Sequence, residues 1–313
     1  MMRVLVPLVT LACIPLALAS CGNDADSTAV GGDAHLSAVA TTTQVADLVS
    51  NVGGERVNLE GILSAGGDPH AFEPRPSDAA ELTDAQVVFK SGGDADGWLD
   101  ELLDRAGADA EVVSLIDHVD TIRGEGEESD PHWWQDPRNA MLAVAAVRDA
   151  LIEADPEGRD TYRRNAAAYT RRLERLDTEI AACMAQVPTA QRKLVTTHDA
   201  LGYFADRYDV EVVGALIPSL STQAQPSVKD VNTLVDQIRD EGVEAIFPET
   251  ALNDRLEQAV SREAGAEVGK PLWADSLGRE GSTGDTYLKA MAFNTEAMVD
   301  GMTTGEVTCK PKA

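Results

Sequence analysis

The stretch that decides the fold runs from Glu157 to Gln186 and reads EGRDTYRRNAAAYTRRLERLDTEIAACMAQ. Apolar side chains recur in it at alternating steps of four and three residues, and polar residues, chiefly Arg and Glu, fill most of the positions between them. This spacing predicts one apolar stripe on a helix, formed by Tyr162, Ala166, Tyr169, Leu173, Leu176, Ile180 and Cys183. At 1.5 Å per residue, about 28 residues make a rod about 40 Å long. Pro188 ends the helical pattern.

Strand-like and helix-like segments alternate on both sides of this helix. The strand-like runs before it are Leu36–Ala40, Val57–Leu63, Ala85–Lys90 and Glu111–Ile116. Those after it are Lys193–Thr197, Val210–Pro218, Val243–Phe247 and Leu272–Trp273. Such alternation is typical of a mostly parallel sheet covered by helices.

A long helix between two such series predicts an α/β protein of two lobes. Each lobe has a mostly parallel sheet covered by helices, and the long rigid helix joins the two. We place the N-terminal lobe at residues 35–156, the connecting helix at 157–187 and the C-terminal lobe at 188–313.

The first residues predict an export signal that does not belong to the fold. Arg3 gives a positive start, and Val4–Ala19 is an apolar run too short to span a bilayer comfortably. Leu18-Ala19-Ser20 then precedes Cys21, which resembles the lipobox of bacterial lipoproteins, where cleavage leaves an acylated cysteine. We therefore expect a signal peptide over residues 1–20, a lipid on Cys21 and a flexible tether over 21–34. The alternative is an ordinary signal peptide followed by an incidental cysteine.

The composition is strongly acidic, with a formal net charge of −27. A chain this acidic is a poor partner for nucleic acid or for anionic lipid. After the signal, no stretch is long and apolar enough to cross a bilayer. We therefore expect no nucleic-acid partner, membrane contact through the lipid anchor alone, and a monomer.

Three of the five histidines lie in settings that suit metal ligands. His70 follows Asp68-Pro69 in a Gly- and Pro-rich turn, and the same tripeptide recurs at Asp130-Pro131-His132. His198 directly follows a strand-like run, at the position where binding residues collect in α/β sheets. Three imidazoles from well-separated loops predict a zinc site.

Two cysteines remain for the folded part, because Cys13 lies in the signal and Cys21 is assigned to the lipid. Cys183 and Cys309 form an even pair in an oxidising compartment, which makes them a candidate disulfide. The alternative is that Cys183 is a buried apolar residue of the helix stripe and Cys309 a free thiol in the tail. Since the chain has no CxxC motif, we expect a metal site without thiolates.

Four motifs occur along the chain in a characteristic order. They are Asp68-Pro69-His70 with Glu73-Pro74, Asp130-Pro131-His132 with Trp134 and Asp136-Pro137, His198-Asp199-Ala200 with Gly202-Tyr203, and Asp275-Ser276-Leu277-Gly278. Together they resemble the metal-binding substrate-binding proteins of ABC transporters (ZnuA/TroA-like). The resemblance covers essentially the whole mature chain.

The resemblance implies a metal held in the cleft between the lobes. His70 and His132 would come from the first lobe, and His198 and Asp275 from the second. Asp275 rests mainly on this resemblance, since by itself it is better explained as an Asp that caps the turn after a strand. Glu249, also at a strand end, is the alternative fourth ligand or a partner that orients a ligand. The aspartate beside each histidine is a further candidate to orient it.

Three imidazoles and one carboxylate form a donor set that suits Zn²⁺. Manganese-selective relatives carry Glu where this chain has His198, which favours zinc and leaves Mn²⁺ as the alternative. We therefore expect a receptor, not an enzyme, that is lipid-anchored on the extracytoplasmic side of the cell membrane and passes Zn²⁺ to an ABC permease and its ATPase. The alternative class is an envelope zinc hydrolase with Glu249 as general base, although the chain has no HExxH motif.

Overall fold

The computed structural model describes residues 35–124 and 129–312. The predicted signal peptide (1–20), the lipidation residue Cys21 and the tether (21–34) lie outside the described residues. Within the described ranges, no helix combines the length and the apolar character that crossing a membrane requires.

Among the described residues, four parallel strands form the sheet of the first lobe, in the order β2-β1-β3-β4. They are β1 (Leu36–Ala40), β2 (Val57–Gly61), β3 (Val87–Lys90) and β4 (Glu111–Ser114). The helices of this lobe are α1 (Thr43–Gly53), α2 (Pro76–Thr83), α3 (Leu99–Ala106) and α4 (Pro137–Ala154). Val39 packs in a small core with Leu82 and Leu99, whereas its neighbours Ala38 and Ala40 enter the main core. Both faces of the sheet are therefore covered, as parallel sheets require.

The second lobe repeats the parallel pattern with shorter strands. Its elements follow the long helix α5 (Arg159–Met184) in the order β5 (Lys193–His198), α6 (Gly202–Tyr208), β6 (Glu211–Ile217), α7 (Val228–Glu241), β7 (Ala245–Ile246), α8 (Arg255–Ala264), β8 (Glu267–Val268) and α9 (Tyr287–Met302). β5 pairs with β6, and β7 pairs with β8. A parallel bridge between Thr196 and Phe247 connects the two pairs.

The last strand of this lobe differs from the prediction. The sequence indicated a strand at Leu272–Trp273, whereas β8 lies earlier, at Glu267–Val268. The N–H of Gly269 still donates to the carbonyl of Ile246, at 2.8 Å, and the ladder breaks after it. Pro271 has no N–H to donate, so Leu272 only bridges Glu249 and does not continue a strand.

The long helix α5 packs against helices of both lobes. Its 26 residues agree closely with the predicted span and make a rod about 39 Å long. Every residue of the predicted apolar stripe, from Tyr162 to Cys183, is buried. The helix contacts α1 and α4 of the first lobe and α9 of the second lobe. One main core therefore runs through both lobes.

The predicted fold class is confirmed by this arrangement of parallel sheets, covering helices and one long helix. The boundaries at residues 35–156, 157–187 and 188–313 stay a prediction, because the main core crosses both of them. A disulfide joins Cys183, in the last turn of α5, to Cys309 in the C-terminal tail, with the two Cα atoms 5.5 Å apart.

Candidate metal centre

The four predicted ligands converge on one point of the structure. His70 lies in the loop between β2 and α2, and His132 precedes the turn that leads into α4. His198 is the last residue of β5, and Asp275 lies in the loop between β8 and α9. One donor atom of each lies within 4.8 Å of the other three.

The distances between these donor atoms fit one coordination sphere. Nε2 of His132 lies 3.4 Å from Nε2 of His70 and 3.3 Å from Nε2 of His198. The carboxylate oxygens of Asp275 lie 3.4 Å from Nε2 of His70 and 3.5 Å from that of His132. The corresponding distance to His198 is 3.1 Å. Around a tetrahedral ion with bonds of about 2.0–2.1 Å, the donor atoms lie about 3.3–3.4 Å apart. These five distances lie close to that value, and all four donors lie within 4.8 Å of one another.

Protein atoms surround the site. The side chains of the four ligands are at most 2% exposed. The ring of Trp134 meets that of His132 edge to face, with centroids 5.5 Å apart. Nε1 of Trp134 donates to the carbonyl of Ala274 at 2.9 Å, so the same side chain covers the site and contacts the second lobe. Electrostatic interactions are strengthened in such a dry setting.

Two of the histidines are oriented by carboxylates behind them. Both Oε atoms of Glu249 lie 2.8 Å from Nδ1 of His198, and Oε1 also accepts the backbone N–H of His198 at 2.9 Å. Oδ1 of Asp130 accepts the backbone N–H of His132 at 2.9 Å and lies 2.7 Å from its Nδ1. Because Nδ1–H donates in each pair, Nε2 keeps its lone pair for a metal ion.

His70 has no such partner on its ring. Its backbone N–H donates to Oδ1 of Asp68 at 3.0 Å. Its ring Nδ1 is buried and has no hydrogen-bond partner within the part of the chain that the structure describes. Nε1 of Trp98 donates to the carbonyl of Pro69 at 3.2 Å and steadies the loop from its own lobe. The backbone therefore positions His70.

The turn that carries Asp275 is held by the first lobe. Besides the bond from Trp134 to Ala274, the N–H of Leu277 donates to Oγ1 of Thr43 at 2.8 Å. Both oxygens of Asp275 are buried, and neither forms a hydrogen bond with the described residues. A buried carboxylate in this condition is costly unless a cation faces it.

Burial and neighbouring charges shift the pKa values of His198 and Asp275 in opposite directions. Burial alone would lower the pKa of His198, but the carboxylates of Asp275 and Glu249 outweigh it and hold that pKa well above its ordinary value. Burial alone would raise the pKa of Asp275, but the imidazoles of His198 and His132 hold it well below its usual range. Without a metal ion, the site therefore favours a proton on an imidazole, which an incoming cation would displace.

The sequence left Glu249 as the alternative to Asp275 for the fourth ligand. Glu249 does not occupy that position. Its oxygens face Nδ1 of His198, and Asp275 is the carboxylate that faces the three Nε2 atoms. The same contacts count against Glu249 as a general base, because a base must reach a water in the site. The two remaining histidines, His35 and His118, are exposed and do not belong to the cluster.

Sequence reasoning missed several residues that hold the loops of the site. Thr43, Gln135 and Thr222 all form hydrogen bonds between the lobes. Gln135 directly follows the two tryptophans of the second motif, which was the available signal for it. Thr43 and Thr222 lie in ordinary polar segments, and no sequence pattern marks them.

Two α/β lobes, one long helix and a buried site of three histidines and one aspartate define a class of two-lobed metal-binding proteins. Residues 38–301 match the family model ZnuA, described as zinc-uptake complex component A, periplasmic. The chain belongs to this family, and the resemblance that the four motifs predicted is confirmed.

Known relatives are similar over most of their length. The manganese-binding lipoprotein MntA of Halalkalibacterium halodurans is 31% identical over 290 residues, which cover 92% of this chain and 95% of MntA. The manganese ABC transporter substrate-binding lipoprotein PsaA of Streptococcus pneumoniae is 29% identical, with coverage of 85% and 89%. Among solved structures, the periplasmic zinc binding protein TroA from Treponema pallidum superposes with a TM-score of 0.80 at 26% identity, covering 86% of this chain and 99% of TroA.

Proposed function

We propose that this protein is an extracytoplasmic receptor that captures Zn²⁺ and delivers it to the permease and ATPase of an ABC importer. The observation that carries the proposal is the set of four converging donors, three imidazoles and one carboxylate, in which five of the six donor pairs are 3.1–3.5 Å apart. Zinc takes tetrahedral nitrogen and oxygen donors at this spacing, whereas Mn²⁺ is better suited by oxygen-rich, octahedral sets.

Manganese is the second candidate cargo, because the names of two relatives favour it. MntA and PsaA are both named for manganese, whereas TroA is named for zinc. A site of nitrogen and oxygen donors generally binds zinc more tightly than manganese. The imidazole-rich set of this chain therefore supports zinc as the preferred ion when both metals are present.

The location follows from the N-terminal sequence together with the relatives. MntA and PsaA are named lipoproteins, and this chain carries Leu18-Ala19-Ser20 before Cys21. We infer a lipid on Cys21 that anchors a monomer to the outer face of the cell membrane. The role is capture without catalysis, because four protein donors leave a tetrahedral zinc no open position for a reactive water.

The transport role can be tested in the host organism under zinc limitation. Deleting the gene should lower cellular zinc, and the wild-type gene should restore it, whereas a gene with His198→Ala should not. A fall in manganese with zinc unchanged would make the protein a manganese receptor. A Cys21→Ser variant should appear in the soluble fraction, and its retention at the membrane would contradict the lipid anchor.

A further inference from the structure

A loop of the second lobe reaches the loop that carries His70. We call residues 219–225, between β6 and α7, the strap loop. Oγ1 of Thr222 in this loop donates to Oδ2 of Asp68 at 2.7 Å. Leu220 lies against Gly124 of the first lobe, so closely that a Cβ at Gly124 would clash with it. The strap loop thus contacts the first lobe through one polar and one apolar side chain.

The carboxylate of Asp68 connects Thr222 to the backbone of His70. Oδ2 accepts the hydroxyl of Thr222, and Oδ1 accepts the N–H of His70 at 3.0 Å. Asp130 and Glu249 bond to the rings of their histidines, whereas Asp68 bonds to the backbone of His70. The position of His70 therefore depends on where its loop, and Asp68 in it, is held.

His70 also lies in the loop of the site that is nearest to solvent. It is partly exposed as a residue, whereas His132, His198 and Asp275 are buried. Its neighbour Ala71 is exposed. The loop that carries His70 is therefore the part of the site that meets solvent, although the imidazole itself is buried.

We propose that Thr222 is a positioning residue for His70. Its hydroxyl fixes Asp68, which keeps the His70 backbone over the bound ion, and breaking the Thr222–Asp68 hydrogen bond is the first step of metal release. This inference rests on the proposed metal-binding function. It means that a residue of the strap loop, which is not one of the four ligands, controls the rate of metal release.

The test is the rate at which a chelator removes zinc from full-length protein in detergent, followed by stopped flow. Thr222→Val should raise the release rate by about tenfold or more, which corresponds to the loss of one hydrogen bond to a charged group. The association rate should stay close to that of the wild type. Thr222→Ser keeps the hydroxyl and should restore slow release.

Ser221→Ala is the matched control, because the Ser221 hydroxyl accepts the N–H of Gln223 within the strap loop. It should release zinc at the wild-type rate. A second measurement uses Asp68→Ala, which removes both bonds. Adding Thr222→Val to that variant should change nothing further.

The proposal is overturned if Thr222→Val releases zinc at the wild-type rate, or if its effect is undiminished in the Asp68→Ala background. Failure of the proposed function looks different, since the wild-type protein itself would then bind no zinc or would lose it to excess Mn²⁺. Thermal melting of each metal-free variant checks that folding is intact.

Discussion

The carboxylate of Glu249 lies directly behind the imidazole of His198, with both Oε atoms 2.8 Å from Nδ1. The two residues are 51 positions apart and reach each other because β5 and the chain after β7 run side by side in the second lobe. A carboxylate in this position fixes the ring and raises the basicity of the nitrogen on its other side. The pair therefore prepares Nε2 of His198 to bind a cation.

Glu249→Gln should lower the affinity for zinc by about 10- to 100-fold, because the amide removes the negative charge behind the ring. The measurement is a competition titration against a chelator of known affinity. Glu257→Gln is the matched control: Glu257 is also buried, but its hydrogen bond comes from Thr197, at 2.5 Å. An unchanged zinc affinity in Glu249→Gln would contradict the orienting role of Glu249.

Zinc should protect the protein against heat more strongly at high pH than at low pH. The folded, metal-free protein holds the pKa of His198 well above the ordinary value of 6.5. Protonated His198 therefore stabilises the metal-free fold fully below pH 6.5, and this contribution is lost as the pH rises through the raised pKa. Zinc needs the neutral ring, so it competes with the proton below that raised pKa.

The check is a set of thermal melts with and without zinc between about pH 5.5 and 8.5, a window that brackets the ordinary histidine pKa. The increase in Tm caused by zinc should grow with pH. An equal increase at every pH would show that no histidine loses a proton on binding.

Gly278→Ala should weaken both the fold and zinc binding. A Cβ at Gly278 would clash with Oγ of Ser282 and would lie 2.6 Å from Cη2 of Trp273, so these side chains or the turn that carries Asp275 would have to move. Overpacking of this kind costs about 1–3 kcal/mol. Gly97→Ala is the control, because the nearest atom to its Cβ would be 3.8 Å away. Equal Tm and equal zinc affinity in the two variants would contradict the expectation.

Replacing Cys183 and Cys309 together by Ala should lower the free energy of unfolding without changing zinc affinity. The disulfide closes a loop across a sequence separation of 126, and bonds of this kind typically contribute about 2–4 kcal/mol. Chemical denaturation measures the change. Zinc affinity should stay at the wild-type value, since neither cysteine belongs to the metal cluster. A large loss of affinity would connect the tail to the site.

The sequence predicted features that repeat regularly or occur in motifs. The apolar stripe of α5 could be predicted because its period matches that of a helix. The structure buries every residue of the predicted stripe. The three histidines could be chosen because each occupies a loop or strand end. Asp275 needed the family resemblance, since an aspartate after a strand is common in turns.

Contacts between distant segments could not be predicted in this way. Glu249 was a candidate for either the fourth ligand or a partner that orients a ligand, and the structure decides for the second. The sequence could not choose, because the direction of a side chain at a strand end depends on the neighbouring strand. The bond from Thr222 to Asp68 joins residues 154 positions apart. The strand at Leu272 was misplaced because its apolar character outweighed the effect of Pro271, which interrupts the ladder.

The central claim is a zinc site closed by His198 and Asp275, and its most direct test is metal content with a competition titration. Purified full-length wild-type protein, His198→Ala and Asp275→Ala would be compared. We predict one zinc ion per wild-type chain that excess Mn²⁺ does not displace. Both variants should lose more zinc affinity than the 10- to 100-fold expected for Glu249→Gln, because Glu249 contacts a ligand and not the ion. Zinc binding left untouched by Asp275→Ala, or displaced from the wild type by Mn²⁺, would contradict the account.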